Sequence, residues 1–426
     1  MRLIIFFVFF ITACDQSGEN AFFNEGGVME PLSKVNVNLS FVCKHQSIPD
    51  ANSNADLIFN YARWLQKNNQ LKQDENIYFE ISRLYRIAAE NGSLKSNVNL
   101  QNGALQGLFL LHGEERLRFS QKLIDEGVGA GYYFIALYLQ HGVAGLEKDQ
   151  EMALRYMRKA ADEGNPQAQS YVGDKLAPRN MSPSVSTQFR LCAAEQGEGL
   201  AARNLGIMYQ GSSNYEAALK IFQVGVKAGN SSAASFLANG FNGPEPSNEL
   251  YYMGLNEDKE RARRYGVIRK ILSNYSYANP KVPEIDEIVP LPPAPLPAWD
   301  GKLKWLEERE ANIPPEKPSE ALIHQMARDK QLDPATGKPL PESPHFVRDD
   351  SIKLSCRNGE VCPVSGYWEM EWWDYNSLNT QRIVRFNQGD ILPADRVRRV
   401  VTRPWPFEDK IVIEEKMMAW RLIAEI

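Results

Sequence analysis

Five glycines, Gly92, Gly127, Gly164, Gly197 and Gly229, close five look-alike stretches of the chain: AAENGS, LIDEGV, AADEGN, AAEQGE and GVKAGN. Their spacings of 35, 37, 33 and 32 residues fall in the range of a stack of helical hairpins. Within one unit, Ala201, Leu205 and Tyr209 share one face of a first helix, and Gly211 marks a turn. A second helix, NYEAALKIFQVGVKAG, returns and stops at glycine, where a left-handed C-terminal residue carries no Cβ penalty. The small pairs Ala160-Ala161 and Ala193-Ala194 let neighbouring helices approach closely, and Tyr132, Tyr138, Tyr156, Tyr171 and Tyr209 are expected in the core. This solenoid is expected over residues 35–242.

The best unit, AGYYFIALYLQHGVAGLEKDQEMALRYMRKAADEGNPQAQ, carries Tyr138, His141-Gly142 and Gly145, an Asp149 helix entry and the AADEGNPQAQ junction. In these residues the chain resembles the Sel1-like repeat, a relative of the tetratricopeptide repeat. The resemblance implies a protein-binding scaffold rather than a catalyst.

From residue 243 the character changes. An amphipathic helix, NEDKERARRYGVIRKILSNYS, has Lys259, Arg261, Arg263 and Arg264 on its expected polar face, paired with Glu257, Asp258 and Glu260 or solvated. Seven prolines between Pro280 and Pro297 then impose extended polyproline geometry. Interleaved Val282, Ile285, Ile288, Val289, Leu291 and Leu296 are too apolar for a free linker, so this connector, 243–344, is expected to lie along the solenoid. After residue 345, alternating apolar residues, Asn-Gly and Gly-Asp turns and five of the eight tryptophans indicate a small β domain, 345–426. The fold class is therefore α+β: an N-terminal α-solenoid of helical hairpins, a proline-rich connector and a C-terminal β domain.

At the start, Arg2 precedes nine apolar residues, Leu3 to Ile11, too few to span a bilayer but suited to a secretory signal. Ile11-Thr12-Ala13-Cys14 resembles the bacterial lipobox, which implies removal of residues 1–13 and lipidation of Cys14. In enterobacterial lipoproteins an Asp at the next position resembles an inner-membrane retention signal, a role implied here for Asp15. Residues 14–34 then form a polar tether. A formal charge of −5 and no long basic tract argue against nucleic acid as partner.

An oxidising compartment permits the remaining cysteines to pair. Cys356 and Cys362 flank the Asn358-Gly359 turn signal, so a hairpin disulfide is expected there. Cys43 and Cys192 would then pair by elimination; the alternative is two buried thiols. No two of the five histidines sit at i, i+3 or i+4, and no nucleophile elbow, phosphate loop or dinucleotide fingerprint occurs. No catalytic residue, cofactor or metal is expected.

The segment CPVSGYW…RFNQGDILP is similar to the small β modules of bacterial immunity proteins. Solenoid, connector and module together resemble a lipoprotein family commonly encoded beside type VI secretion effectors. That resemblance implies a periplasmic, membrane-tethered immunity protein whose partner is a cognate toxin. Trp372 and Trp373 are candidate binding anchors; adjacent strand positions face opposite ways, so at most one belongs to the core. The alternative is a periplasmic scaffold that organises envelope proteins of its own cell.

Overall fold

The computed structural model describes residues 40–349, 352–371, 377–379, 381–401 and 410–426, and these contain fifteen α-helices and six strands. Six helical hairpins are stacked in order: α1 (Ser53–Asn69) with α2 (Glu75–Glu90), α3 (Leu94–Leu105) with α4 (Gly113–Asp125), and α5 (Ala130–His141) with α6 (Gln150–Asp162). Then come α7 (Pro166–Leu176) with α8 (Pro183–Glu195), α9 (Gly199–Gly211) with α10 (Tyr215–Lys227), and α11 (Ser231–Gly240) with α12 (Lys259–Asn274).

The turn between hairpins explains the repeat. All five repeat glycines have φ between +71° and +97°. At each, the next residue donates its backbone N–H back into the finished helix, as from Ser93 to Ala88 O and from Asn165 to Ala160 O, both at 2.9 Å. In four turns Ser93, Asn165, Glu198 or Asn230 then caps the following helix, accepting from the N–H of Ser96, Ala168, Leu200 or Ala233. Only three or four residues therefore separate one helix from the next, which holds successive hairpins in contact. Of the five tyrosines expected in the core, Tyr138 is fully buried. Tyr132, Tyr156, Tyr171 and Tyr209 are half-buried. Tyr132 meets Tyr156 and Lys159, and Tyr171 lies under Lys175.

The proline-rich stretch returns over the last hairpin. Val282, Ile285 and Val289 are fully buried against Phe222, Tyr265 and Ile268. Proline lacks an N–H, so such a segment presents mainly acceptors, and these need donors from elsewhere. Arg261 and Arg264 supply them. Arg261 donates to the carbonyls of Pro290 and Ala294, and Arg264 to those of Ile288 and Pro297, the latter two at 2.7 Å. The expected acid pairing is present, with Lys259 on Glu257, Arg261 on Asp258 and both Arg263 and Arg264 on Glu260; the difference is burial, since Arg261 and Arg264 are only 7% and 5% exposed.

The segment includes the one-turn helix α13 (Ile285–Ile288) and continues into α14 (Lys304–Ala311) and α15 (Glu320–Arg328). It reaches the first hairpin: Asn312 hydrogen-bonds Trp64 and Asn68 of α1, and Arg83 of α2 binds Glu320 at 2.8 Å. Ile323, Met326, Ala327 and Leu332 join the core of α1 and α2. The return segment thus ties the last hairpin to the first.

The C-terminal module has a four-stranded antiparallel sheet, order β1-β6-β2-β3: β1 (Ser355–Arg357), β6 (Ala419–Glu425), β2 (Gly366–Met370) and β3 (Ile383–Phe386). Trp368, Met370, Phe386, Trp420 and Leu422 fill one face. A separate ribbon pairs β4 (Asp395–Val401) with β5 (Lys410–Lys416). Lys338 and Asp333, from the loop after α15, meet Glu425 O and Arg385 of the module at 3.0 Å each.

A Cβ at Gly229 would lie 1.9 Å from Pro280 O, while none is within 4 Å at Gly197. Gly197→Ala should therefore cost only left-handed strain, about 1–2 kcal/mol, whereas Gly229→Ala should cost clearly more. Urea denaturation of the two variants measures the difference.

Candidate binding surface

Glycine turns leave one edge of the solenoid lined by helix ends, and the N-terminal segment runs along that edge before α1. Phe41 stacks on Phe189 of α8 with ring centroids 3.8 Å apart. Cys43 is disulfide-bonded to Cys192 of α8. Lys44 O accepts from Gln169 Nε2 at 2.9 Å, and the Gln46 N–H donates to Gln196 Oε1 at 2.8 Å. The backbone of residues 44–46 lies so close to Gly164 that a Cβ there would come within 2.9 Å. Further along, Ile48 packs beside Leu94 and Leu123, and Asp50 pairs with Lys95 at 2.8 Å. The segment is an extended strap that pairs with no strand among the described residues.

The site residues named from sequence fall into three groups. Cys14, Asp15, Trp372 and Trp373 lie outside the described residues. Cys43 and Cys192 are joined. The hairpin disulfide expected between Cys356 and Cys362 is not formed, and both are free thiols. The reason is register. Cys356 lies on β1, opposite Trp420 of β6, whereas Cys362 follows the turn into a different pairing. There Gly359 N–H donates to Leu392 O and Cys362 N–H to Asp390 O, each at 2.7 Å. The Asn358-Gly359 turn thus hands the chain to the 390–392 loop and makes no two-stranded hairpin. Burial raises the pKa of both thiols, which keeps them protonated.

Two charged features accompany the strap. On the second face of the sheet, Glu369 has a side chain 7% exposed and is ringed by Arg348 at 2.6 Å, Arg421 at 3.2 Å and Arg382 at 3.3 Å. The hydrogen bond from Arg348 holds its carboxyl below the ordinary value of 4.5. Nothing in the linear sequence brings these four residues together; strand register does, with Glu369 opposite Arg421. The second feature is an open cleft of about 770 Å³ between α2, α4, α15 and the 343–345 loop. Arg118 binds Glu90 there, and Lys122 donates to the backbone carbonyl of Ala89 at 2.7 Å. The Lys122 pKa is lowered by burial. A charge-balanced, open hollow of this kind suits a protein surface better than small-molecule chemistry.

On the β ribbon, Val400, Ile411 and Ile413 share one face and are each more than half exposed. A two-stranded ribbon exposed on both faces is marginal by itself, which gives the module an apolar contact surface. Among the described residues no helix is long and apolar enough to cross a membrane.

Residues 233–340 match a family described as a domain of unknown function, DUF6396. That range is the last hairpin together with the return segment. No curated protein matches. Among solved structures, the chain is similar to the immunity protein Pa5087 from Pseudomonas aeruginosa, at 27% identity and a TM-score of 0.46, covering 60% of this chain and 96% of that one. It is similar to the immunity protein PA5088 from the same organism, at 25% identity and a TM-score of 0.47, covering 60% and 95%. A Sel1 repeat protein from Oxalobacter formigenes aligns at 19% identity and a TM-score of 0.38, over 53% and 90%.

Glu369 supplies a pH test. Its depressed pKa contributes stability that is fully present above the unfolded carboxylate range and is lost as pH falls through the lower folded value. Tryptophan fluorescence of Trp368 and Trp420 should show the module loosening below about pH 4.5. Glu369→Gln should be less stable at pH 7 and flatter across that acid window.

Proposed function

We propose that this chain is a membrane-tethered periplasmic immunity protein that binds and neutralises a cognate antibacterial effector, delivered by type VI secretion, without catalysing a reaction. The observation that carries the reading is preorganisation. The strap, the disulfide and the return segment lock six hairpins and a β module into one presented surface, and a surface fixed in advance loses little freedom on binding. The Sel1-like repeat signature and the lipobox at Cys14 in the sequence support the same reading. Two acyl chains on Cys14, at about 0.8 kcal/mol per buried methylene, would hold the protein at the bilayer.

Deleting the gene and challenging the strain with siblings armed with the neighbouring effector tests the function. The expected outcome is killing of the deletion strain and rescue by the gene supplied in trans. Unimpaired survival would overturn the reading and favour a scaffold for the cell's own envelope proteins. The tether has a separate check: Cys14→Ala should lose radiolabelled fatty acid and leave the membrane fraction.

A further inference from the structure

Where the strap crosses α8, four side chains with metal-binding chemistry converge. Cys43 and His45 are two apart on an extended segment and so project to the same side, while Cys192 and Glu195 are three apart on a helix and share a face. The ligating atoms of Cys43, His45 and Cys192 all lie within 4.8 Å of one another. Glu195 Oε2 stands 3.5 Å from His45 Nε2 and 4.0 Å from Cys43 Sγ. Two thiolates, an imidazole and a carboxylate form the donor set of a tetrahedral Zn²⁺ site, whose sulfurs sit about 2.3 Å from the metal. In the oxidised chain the two sulfurs are bonded to each other and unavailable.

We propose that this junction is a second, redox-gated site: when the Cys43–Cys192 disulfide is reduced, Cys43, His45, Cys192 and Glu195 bind a zinc-class divalent cation. The gating step is thiol–disulfide exchange with a dithiol reductant. Cys43 is exposed and Cys192 is 1% exposed, so the reductant's thiolate attacks Cys43 and Cys192 departs as thiolate. The reductant's second thiol resolves the mixed disulfide and frees Cys43. The protein disulfide gains two electrons and two protons, and the dithiol leaves as a cyclic disulfide. The cation then displaces the two thiol protons to solvent.

The site has a structural consequence. A disulfide in the oxidised state and a metal in the reduced state would pin the strap to α8 at the same place. No sequence spacing announces it, because the Cys43/His45 pair and the Cys192/Glu195 pair lie about 150 residues apart and only the docked strap brings them together.

The test uses the full chain, reduced with dithiothreitol and desalted without oxygen, then titrated with Co²⁺ as a coloured stand-in and with Zn²⁺ as competitor. One equivalent of Co²⁺ should bind with a near-ultraviolet thiolate charge-transfer band and the visible absorption of a tetrahedral site, and Zn²⁺ should bleach both. His45→Ala and Glu195→Gln leave both sulfurs and the disulfide in place, and each should weaken binding at least tenfold. The reduced chain should regain thermal stability with Zn²⁺, and the Cys43→Ser/Cys192→Ser double variant should not. Absence of a charge-transfer band in the reduced wild type would overturn the proposal. So would equal binding by the double variant, which would place the metal on the other thiols, or unchanged affinity in both His45→Ala and Glu195→Gln.

Discussion

Unsatisfied backbone carbonyls are what this architecture has to manage. Each hairpin ends in a turn whose last helical carbonyls lack intrahelical partners, and the stack delivers those ends to one edge. Long side chains and crossing segments meet them. Lys122 donates to Ala89 O, Gln169 to Ala161 O, and Lys281 to both Gly197 O and Ala228 O. The half-buried Lys281 ammonium has its pKa lowered by desolvation, yet it joins the ends of α8 and α10 through two carbonyls. The proline-rich segment poses the same problem in stronger form, and Arg261 and Arg264 answer it.

Two crossings then divide the edge between them. The strap lies over Gly164, and Pro280 lies over Gly229, whereas nothing approaches Gly92, Gly127 or Gly197 at Cβ distance. The repeat glycines are therefore alike in conformation and unlike in surroundings. Three answer only to the turn; two also admit another backbone.

This difference marks how far the sequence could be read. Helical period, glycine stops and hairpin order were legible because each is local: the signal for Gly164 lies within six residues of it. The β character of the C-terminal module was legible for the same reason. The buried roles of Arg261 and Arg264 were not, since a helical wheel places them on a charged face and only the returning prolines make that face internal. A turn motif does not by itself imply strand pairing: the turn between Cys356 and Cys362 is present, with Gly359 at φ +83°, but the chain after it bonds the 390–392 loop. The arginine ring around Glu369 and the junction at Cys43, His45, Cys192 and Glu195 depend on contacts between distant segments, and no window on the sequence contains them.

The Cys43–Cys192 bond also sets how the molecule carries load. It closes a loop with a sequence separation of 149, which encloses the first three hairpins and α7. Tension applied ahead of Cys43 passes through the covalent bridge into α8 and bypasses everything within the loop. A pull on the amino end would therefore extend the chain only from Cys192 onward, and the backbone of the enclosed hairpins would carry none of the load.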